Sequence, residues 1–431
     1  MTETVIDTIS ASLARLTPPS CGSLTVAYSG GVDSTVLLYA AKAFASAHQI
    51  ALSACYIHHG LSTNATAWQQ HCADVCQQLD VVFEAKSVSV TPTSRKSTEA
   101  LARDARYAAL FAHCKQRHAA LLLGQHQDDQ LETILLQLKR GAGPKGLAAM
   151  PEYQVRQDVA IIRPMLSLSR KEIEAAATHL ALPWIEDESN ADTAYDRNFL
   201  RQDIIPLLQS RWPLISETAA RSAALCAEQQ ELVENAATEK LAAMSKGADR
   251  LDGAKLAALP LRWQRAVLRQ WFAGHGMAAP SQAQLEQVTL QLTAKADAQP
   301  QVTVNDVVIR RFQDDLFWTR NTRSAEAISK QIIYAGTVTI VEETGVRLLI
   351  SDSEEHGTYQ LEPVSLNEKV KLQGRGSSKP IKQWMKALGI PPWQRQPAAL
   401  LLLEQTPVAC VYPAGVLRLH ALPPSVQVHA S

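Results

Sequence analysis

Between residue 24 and about residue 185 the chain alternates short apolar runs with longer stretches in which apolar residues recur every three or four positions. The runs LTVAYS, ALSACYIHH, VVFEAKSV, AALLLGQH and AIIRPM have the length and composition of buried strands, whereas 65–79 and 98–117 show one apolar face at helical spacing. This alternation predicts an α/β domain, a doubly wound and mostly parallel sheet with helices on both faces. Ligands of such sheets bind beyond the carboxyl ends of the strands. Residues 199–245 keep a helical period until SKGADRLDG breaks it. Beyond that break, LAALPLRWQRAVLRQWFAGHG and 281–294 read as helices, and the alternation in QVTVNDVVIRRFQDDLFWT predicts a hairpin turning at Asn305 and Asp306. From about residue 330 the pattern is again that of strands, interrupted by a basic, glycine-containing stretch and a short helix around Trp384. The expected domains are 1–213, the sheet; 214–325, a helical linker with a small, mainly helical middle domain; and 326–431, a small α+β domain.

Composition adjusts this picture in three ways. The chain has 431 residues, room for about three domains of roughly 150 residues each. Its 42 basic and 42 acidic residues cancel, so a polyanionic partner requires positive charge concentrated locally. One stretch meets that requirement: from Lys369 to Arg395 there are seven basic residues (Lys369, Lys371, Arg375, Lys379, Lys382, Lys386, Arg395) and no acidic one. The seven cysteines are scattered and form no CxxC pair, which argues against a disulfide framework and a structural zinc site; Cys72 and Cys76 share a helix face and read as packing. MTETVIDTISASLARLTPPS lacks the features of a signal peptide and no apolar run approaches a membrane span, so a cytoplasmic location is expected.

The chemistry begins at VAYSGGVDSTVLL, residues 26–38. A strand, a turn over Ser29–Gly31 and a helix from Asp33 place unpaired N–H groups and the positive end of a helix dipole at one point, where a phosphate binds readily. Gly30 and Gly31 let the backbone approach the anion, and Ser29 and Ser34 add hydroxyl donors; the pattern is not a Walker loop. Asp33 would repel that anion unless a divalent cation lay between them, a place that suits magnesium. Alternatively Asp33 only caps the helix. A second stretch, LLLGQHQDDQLETILLQLKRGAGPKGLAAM at 121–150, delivers His126, Asp128, Asp129 and Glu132 from a strand end to a helix start, with Asp129 and Glu132 on one face. These acids suit a metal or a cationic substrate, or they are a solvated helix start favoured by the dipole.

S-G-G-V-D-S after a strand, Ser29 to Ser34 with Val32 between, resembles the loop of the N-type ATP pyrophosphatases, or PP-loop proteins, which cleave ATP between the α- and β-phosphates and transfer AMP. G-Q-H-x-x-D-D-Q-x-E-T with the following L-K-R-G-x-G-P-x-G-L is similar to the tRNA(Ile)-lysidine synthetase family, as are EALARDARYAAL at 99–110, LPWIEDESNADTAYDRNFLRQDIIPLL at 182–208 and GRGSSKPIKQWMKALGIPPWQR near the end. The resemblance extends over essentially the whole chain. One departure is local: the family often has a glycine where Ala148 and Ala149 stand.

The resemblance implies that ATP, with Mg2+, adenylates carbon 2 of the wobble cytidine in a CAU-anticodon tRNA(Ile), and that free lysine then displaces AMP to give lysidine. It implies Ser29, Gly30, Gly31, Val32, Asp33 and Ser34 at ATP, with Asp33 on the metal and His58 and His59 near adenine. Asp128, Asp129 and Glu132 are the candidates for lysine and His126 for proton transfer or nucleotide contact. Arg103 and Arg106 are either near the α-phosphate or in a surface ladder with Glu99. Lys139, Arg140, Lys145, Arg197, Arg201, Arg375, Lys379 and Lys382 are candidates for tRNA, Arg197 and Arg201 equally for a network with EDESN. Trp384 and Trp393 read as core rather than base-stacking groups, and Arg262, Arg265 and Arg269 as an acceptor-stem contact or a solvated face. The family's frequent dimers make a homodimer an expectation. Rival readings are a tRNA thiolase, which would need cluster-ligating cysteines or a persulfide carrier; an amidotransferase, which would need an amino-terminal cysteine; and a noncatalytic RNA-binding protein.

Overall fold

The computed structural model describes residues 2–58, 64–88, 98–186, 193, 195–293, 300–320, 329–336, 338–341, 346–352, 358–413 and 415–430. The chain forms two compact units, Met1–Asn235 and Ala236–Ser431.

The first unit runs α1 (Thr2–Leu16), β1 (Ser23–Ala27), α2 (Val32–His48), β2 (Ala51–His58), α3 (Ala65–Gln78), β3 (Val82–Ser87), α4 (Thr98–Arg117), β4 (Ala120–Leu122), α5 (Gln127–Lys139), α6 (Pro144–Leu147), β5 (Tyr153–Arg156), β6 (Val159–Ile162), α7 (Arg170–His179), α8 (Asp196–Phe199), a π-helical turn (Leu200–Ile204), α9 (Ile205–Arg211) and the start of α10 (Ile215–Met244). The strand order is β3-β2-β1-β4-β6-β5. All neighbours are parallel except β5, which is antiparallel to β6. Successive residues of a strand face opposite ways, and both faces here are covered. Leu24 and Val26 join α1, α2, α3 and α7 in one core through Leu13, Leu37, Cys72 and Ile173. Cys55, Leu121 and Ile161 meet Tyr107, Leu110, Phe111 and Cys114 of α4 on the other side. Each such buried leucine contributes about 1.5–3 kcal/mol. Buried Cys72 and Cys76 serve as packing, in line with the sequence. Chain order reverses between β1 and β4, and the crevice there lies at the carboxyl ends of both strands.

Two local features depart from the sequence pattern. The helix expected over 199–245 is broken at Trp212–Leu214, where Pro213 has no N–H to continue the ladder, and its first turn is π-helical. Strand β5 escaped notice because its Tyr153 and Val155 lie exposed on a sheet edge, turning into β6 through Gln157 and Asp158 at φ +50° and +61°.

The second unit opens with the end of α10, followed by β7 (Arg250–Asp252), α11 (Gly253–Ala257), α12 (Leu261–Gly274), α13 (Gln282–Gln291), β8 (Gln301–Val304), β9 (Val307–Phe312) and β10 (Asp315–Arg320), the strands ordered β7-β10-β9-β8. The hairpin turns at Asn305, φ +57°, as the alternation predicts. Val267, Leu268 and Phe272 of α12 pack on Leu251, Ile309 and Leu316. There follow β11 (Gln331–Tyr334), β12 (Val338–Val341), β13 (Val346–Asp352), β14 (Thr358–Pro363), β15 (Lys369–Lys371), β16 (Ser378–Pro380), α14 (Ile381–Ala387), β17 (Ala399–Leu403), β18 (Thr406–Tyr412), β19 (Gly415–Arg418) and β20 (Val426–Ala430). They form sheets β11-β14-β17-β18-β19, β12-β13-β20 and β15-β16. Trp384 is buried and donates to the Val370 carbonyl at 2.9 Å, a core role.

Candidate active site

The turn after β1 is held open by its own backbone. Gly30 has φ +84°, and a Cβ there would lie 2.7 Å from Ile185 Cδ1 and 3.0 Å from Cys72 Sγ. Its carbonyl accepts from Ile185 N–H at 3.0 Å. Ser34 Oγ lies 3.1 Å from Ser29 Oγ and 3.0 Å from the Gly31 carbonyl, while Thr35 Oγ1 donates to the Gly31 carbonyl at 3.0 Å. Buried Val32 anchors the first turn of α2 beneath this cradle. Gly124, after β4, brings its chain against α2: a Cβ there would be 3.2 Å from the Asp33 carbonyl carbon. Such contact fixes where Asp33 stands relative to the acids of α5.

Asp33 Oδ2 accepts from Arg170 Nη1 at 2.6 Å. Its Oδ1 is buried without a hydrogen bond, with His126 Nε2 at 3.7 Å. Burial pushes the Asp33 carboxyl above its ordinary value, against the opposing pull of His126 and Arg170. His126 N–H donates to Asp129 Oδ2 at 3.0 Å, ordering the start of α5. Arg201 then clamps two acids, Nη2 to Asp129 Oδ1 at 3.0 Å and Nε to Glu132 Oε1 at 2.7 Å. Glu132 is fully buried, its Oε2 has no hydrogen-bond partner, and desolvation raises its carboxyl despite Arg201. Asp128 is tied structurally: it accepts from Ser216 Oγ, from Gln209 Nε2 at 3.1 Å and from Arg170 N–H at 3.2 Å. His126, Asp128, Glu132, Ser169, Arg170 and Arg201 are among the residues lining a cleft of about 600 Å³.

The other sequence candidates are distributed more widely. Arg103, Arg140 and Arg197 line a second recess, of about 280 Å³, formed with Thr133, Leu136 and Gln137 of α5, and none of its lining residues belongs to the 29–34 loop. Arg106 lies near it, over the Tyr107 ring. Lys139 is paired with Asp196 at 2.7 Å and Lys145 with Glu234 at 2.8 Å. His58 ends β2 at the rim; His59 and residues 187–190 of EDESN lie outside the described residues, as does the side chain of Glu99. In the second unit Arg375, Lys379 and Lys382 are exposed around β15, β16 and α14, and Lys379 Nζ lies 5.1 Å from the Trp384 ring. Arg265 pairs with Glu286 at 3.1 Å.

Sequence reasoning missed Arg170 and Arg163. Arg163 follows the apolar run of β6, and a charge at the carboxyl end of a parallel strand was a usable signal. Arg170 gave none, because its partner Asp33 is 137 residues away.

Among the described residues no three His, Cys, Asp or Glu side chains are grouped to hold a metal by themselves. The orphaned Asp33 Oδ1 nevertheless fits a hard cation that takes its remaining ligands from phosphate oxygens and water.

A strand-to-helix glycine turn at the reversal of strand order, with an aspartate in the first helical turn, defines a PP-loop ATP-binding domain, and residues 4–208 match the model of the PP-loop domain. Residues 251–317 match the TilS substrate binding domain and 360–419 the TilS substrate C-terminal domain. The chain is 38% identical over 400 residues to the tRNA(Ile)-lysidine synthase of Shigella flexneri, covering 91% of each protein. It is also 38% identical over 416 residues to that of Shewanella woodyi, covering 90% of this chain and 88% of that one. The chain belongs to the tRNA(Ile)-lysidine synthase family.

Proposed function

We propose that this protein is an ATP-dependent ligase that joins free L-lysine to carbon 2 of the wobble cytidine in the CAU anticodon of tRNA(Ile). The product, lysidine, pairs with A in place of G and changes the tRNA's identity from methionine to isoleucine. The observation that carries this reading is the pairing of an anion cradle at Ser29–Ser34 with the acids Asp129 and Glu132 across His126. Membership of the family supports the choice of substrates.

In the first step the carbonyl oxygen at carbon 2 of cytidine attacks the α-phosphorus of ATP and pyrophosphate leaves. Backbone N–H groups of the 30–34 turn and the Ser29 and Ser34 hydroxyls hold the departing phosphates. Asp33 would hold Mg2+, which when bound neutralises the triphosphate and reverses the repulsion between carboxylate and anion. In the second step the lysine ε-amine attacks carbon 2, AMP leaves, and the nitrogen loses a proton. Glu132 Oε2, buried and without a partner, receives the ammonium while Oε1 stays with Arg201, and Asp129 shares the charge. A carboxylate whose affinity for protons is raised by burial is suited to take the proton that frees the amine. His126 stands between Asp33 and Asp129, at 3.7 and 3.5 Å, where it can relay a proton or contact the nucleotide. Asp128 orients Arg170 and the start of α5.

The work divides among a catalytic domain over 1–213, a linker and middle domain over 214–325 and a C-terminal domain over 326–431, the last gripping the tRNA through Arg375, Lys379 and Lys382 far from the anticodon. The enzyme works in the cytoplasm, where its three substrates meet; among the described residues no helix is long and apolar enough to cross a membrane. The deciding experiment is incorporation of radiolabelled lysine into a CAU-anticodon tRNA(Ile) transcript with ATP and magnesium. Labelling that needs ATP and tRNA and is abolished by Asp33→Asn is expected. Pyrophosphate release with tRNA but no lysine incorporation would sink the ligase assignment and the role of Glu132.

A further inference from the structure

Six arginines come together in the first unit without a carboxylate paired to any of them among the described residues. The guanidinium carbons of Arg103, Arg106 and Arg156 lie 5.8, 5.6 and 5.9 Å from the centroid of the Tyr107 ring. Arg163, only 4% exposed, gives its Nε to Gln125 Oε1 at 2.5 Å and its Nη1 to the Pro151 carbonyl at 2.8 Å, both neutral acceptors. Arg197 joins Arg103 and Arg140 around the 280 Å³ recess. Among the described residues the one carboxylate lining that recess, Asp196, is already taken by Lys139 Nζ at 2.7 and 2.8 Å. Burial alone would raise the Tyr107 phenol, yet the guanidiniums of Arg106, Arg103 and Arg163 hold it below its ordinary value. Three guanidiniums around one buried aromatic ring, one of them sharing the recess with Arg140 and Arg197, are arranged for an anion.

The position of the recess selects which anion. Helix α5 turns Asp128 and Glu132 to the cleft and Thr133, Leu136, Gln137 and Arg140 to the recess. The two sites therefore lie on adjacent faces of one helix, roughly 100° apart around its axis. The ATP cradle contributes nothing to the recess. A polynucleotide, by contrast, carries a phosphate at every nucleotide, so a strand whose reacting base is delivered to the Glu132 side brings its neighbouring phosphates to the adjacent face of α5.

We infer that Arg103, Arg140 and Arg197, backed by Arg106, Arg156 and Arg163, form a phosphodiester-binding basin for the anticodon-loop backbone flanking the wobble nucleotide. The inference rests on the RNA substrate of the proposed function. Arg103, Arg140 and Arg197 make the contacts. Buried Arg163 positions, tying the Gln125 turn beside His126 to the basin.

The test measures binding of a labelled CAU-anticodon tRNA(Ile) transcript to the full chain at several salt concentrations, alongside ATP binding with magnesium by calorimetry. Arg103→Gln and Arg197→Gln are each expected to weaken tRNA binding by about tenfold and to lower the slope of log K against log salt by about one, with ATP affinity unchanged. Arg103→Lys should keep the slope. Retained ATP binding also shows that the variants are folded. A loss of ATP affinity with unchanged tRNA binding would assign the basin to the nucleotide and overturn the inference, and so would variants that leave both unchanged. The ratio of variant to wild-type tRNA binding decides the basin, whereas wild-type lysine incorporation decides the ligase reading, so the two can fail separately.

Discussion

Replacing Arg201 by methionine removes the cation from Glu132 while keeping most of the packing of its stem. The magnitude follows from the geometry. Glu132 is fully buried and, among the described residues, its Oε1 is held only by Arg201, at 2.7 Å, while Oε2 has no partner. Stripping one partner from a buried pair costs about 3–5 kcal/mol, but the Arg201 side chain is 40% exposed and water already reaches one side of the pair. A loss of about 2–3 kcal/mol at pH 8 is therefore expected. The sign of its pH dependence is fixed as well. Burial already raises the folded-state Glu132 carboxyl, and the substitution raises it further, so the folded form prefers the proton more than the unfolded chain does. The deficit should be largest at high pH and should shrink as pH falls toward about 4, the ordinary carboxylate value. Urea unfolding of wild type, Arg201→Met and Arg201→Met/Glu132→Gln, followed by circular dichroism at pH 5, 6.5 and 8, would measure it. The double variant should recover most of the lost stability at pH 8. A deficit that is the same at every pH, or no recovery on neutralising Glu132, would refute the claim that an uncompensated buried carboxylate is the cause.

Gly30→Ala places a methyl 2.7 Å from Ile185 Cδ1 at a backbone angle disfavoured for alanine, and should cost about 2–4 kcal/mol and most pyrophosphate release. Adding Ile185→Ala should relieve only the steric part, and a double-mutant cycle with no coupling would count against that contact. Ala149 sits at φ +53°, in the left-handed region that favours glycine. Ala149→Gly should therefore raise stability by about 0.5–1 kcal/mol after glycine's extra chain entropy is deducted, a gain readable in the thermal midpoint. Lysine binding should weaken on acidification at a pH above the ordinary glutamate range, because burial raises Glu132 and only its ionised form attracts the ammonium. In Glu132→Gln this acid limb should vanish along with most of the affinity.

Much of this architecture was legible because it is written in short-range patterns. Strands β1 to β4 and β6 are apolar runs, the Asn305 turn needs only local backbone preferences, and Ser29–Ser34 is a contiguous cradle. Asp129 and Glu132 could be paired on one face because three residues nearly complete a helical turn. Their counter-charge was harder to read: Arg201 is 72 and 69 residues away from them in sequence, and the same basic segment suited a tRNA contact equally well. Arg170 on Asp33 was illegible for the same reason. The π-helical turn at Leu200–Ile204 hides in a sequence of ordinary helix formers, since widening one turn leaves the composition unchanged.

Helix α5 has a consequence for how the chain can change length. Its residues advance about 100° each around the axis, so inserting or deleting one residue between Glu132 and Arg140 would swing the recess-facing side chains by more than a quarter turn relative to the acids. The interval is a ruler read in angle as well as in distance. The turn that follows, from Gly141 to Gly143, has no such phase to preserve, and a Cβ at either glycine would meet nothing within 4 Å. Viable insertions and deletions should thus collect immediately after the helix and be absent from within it.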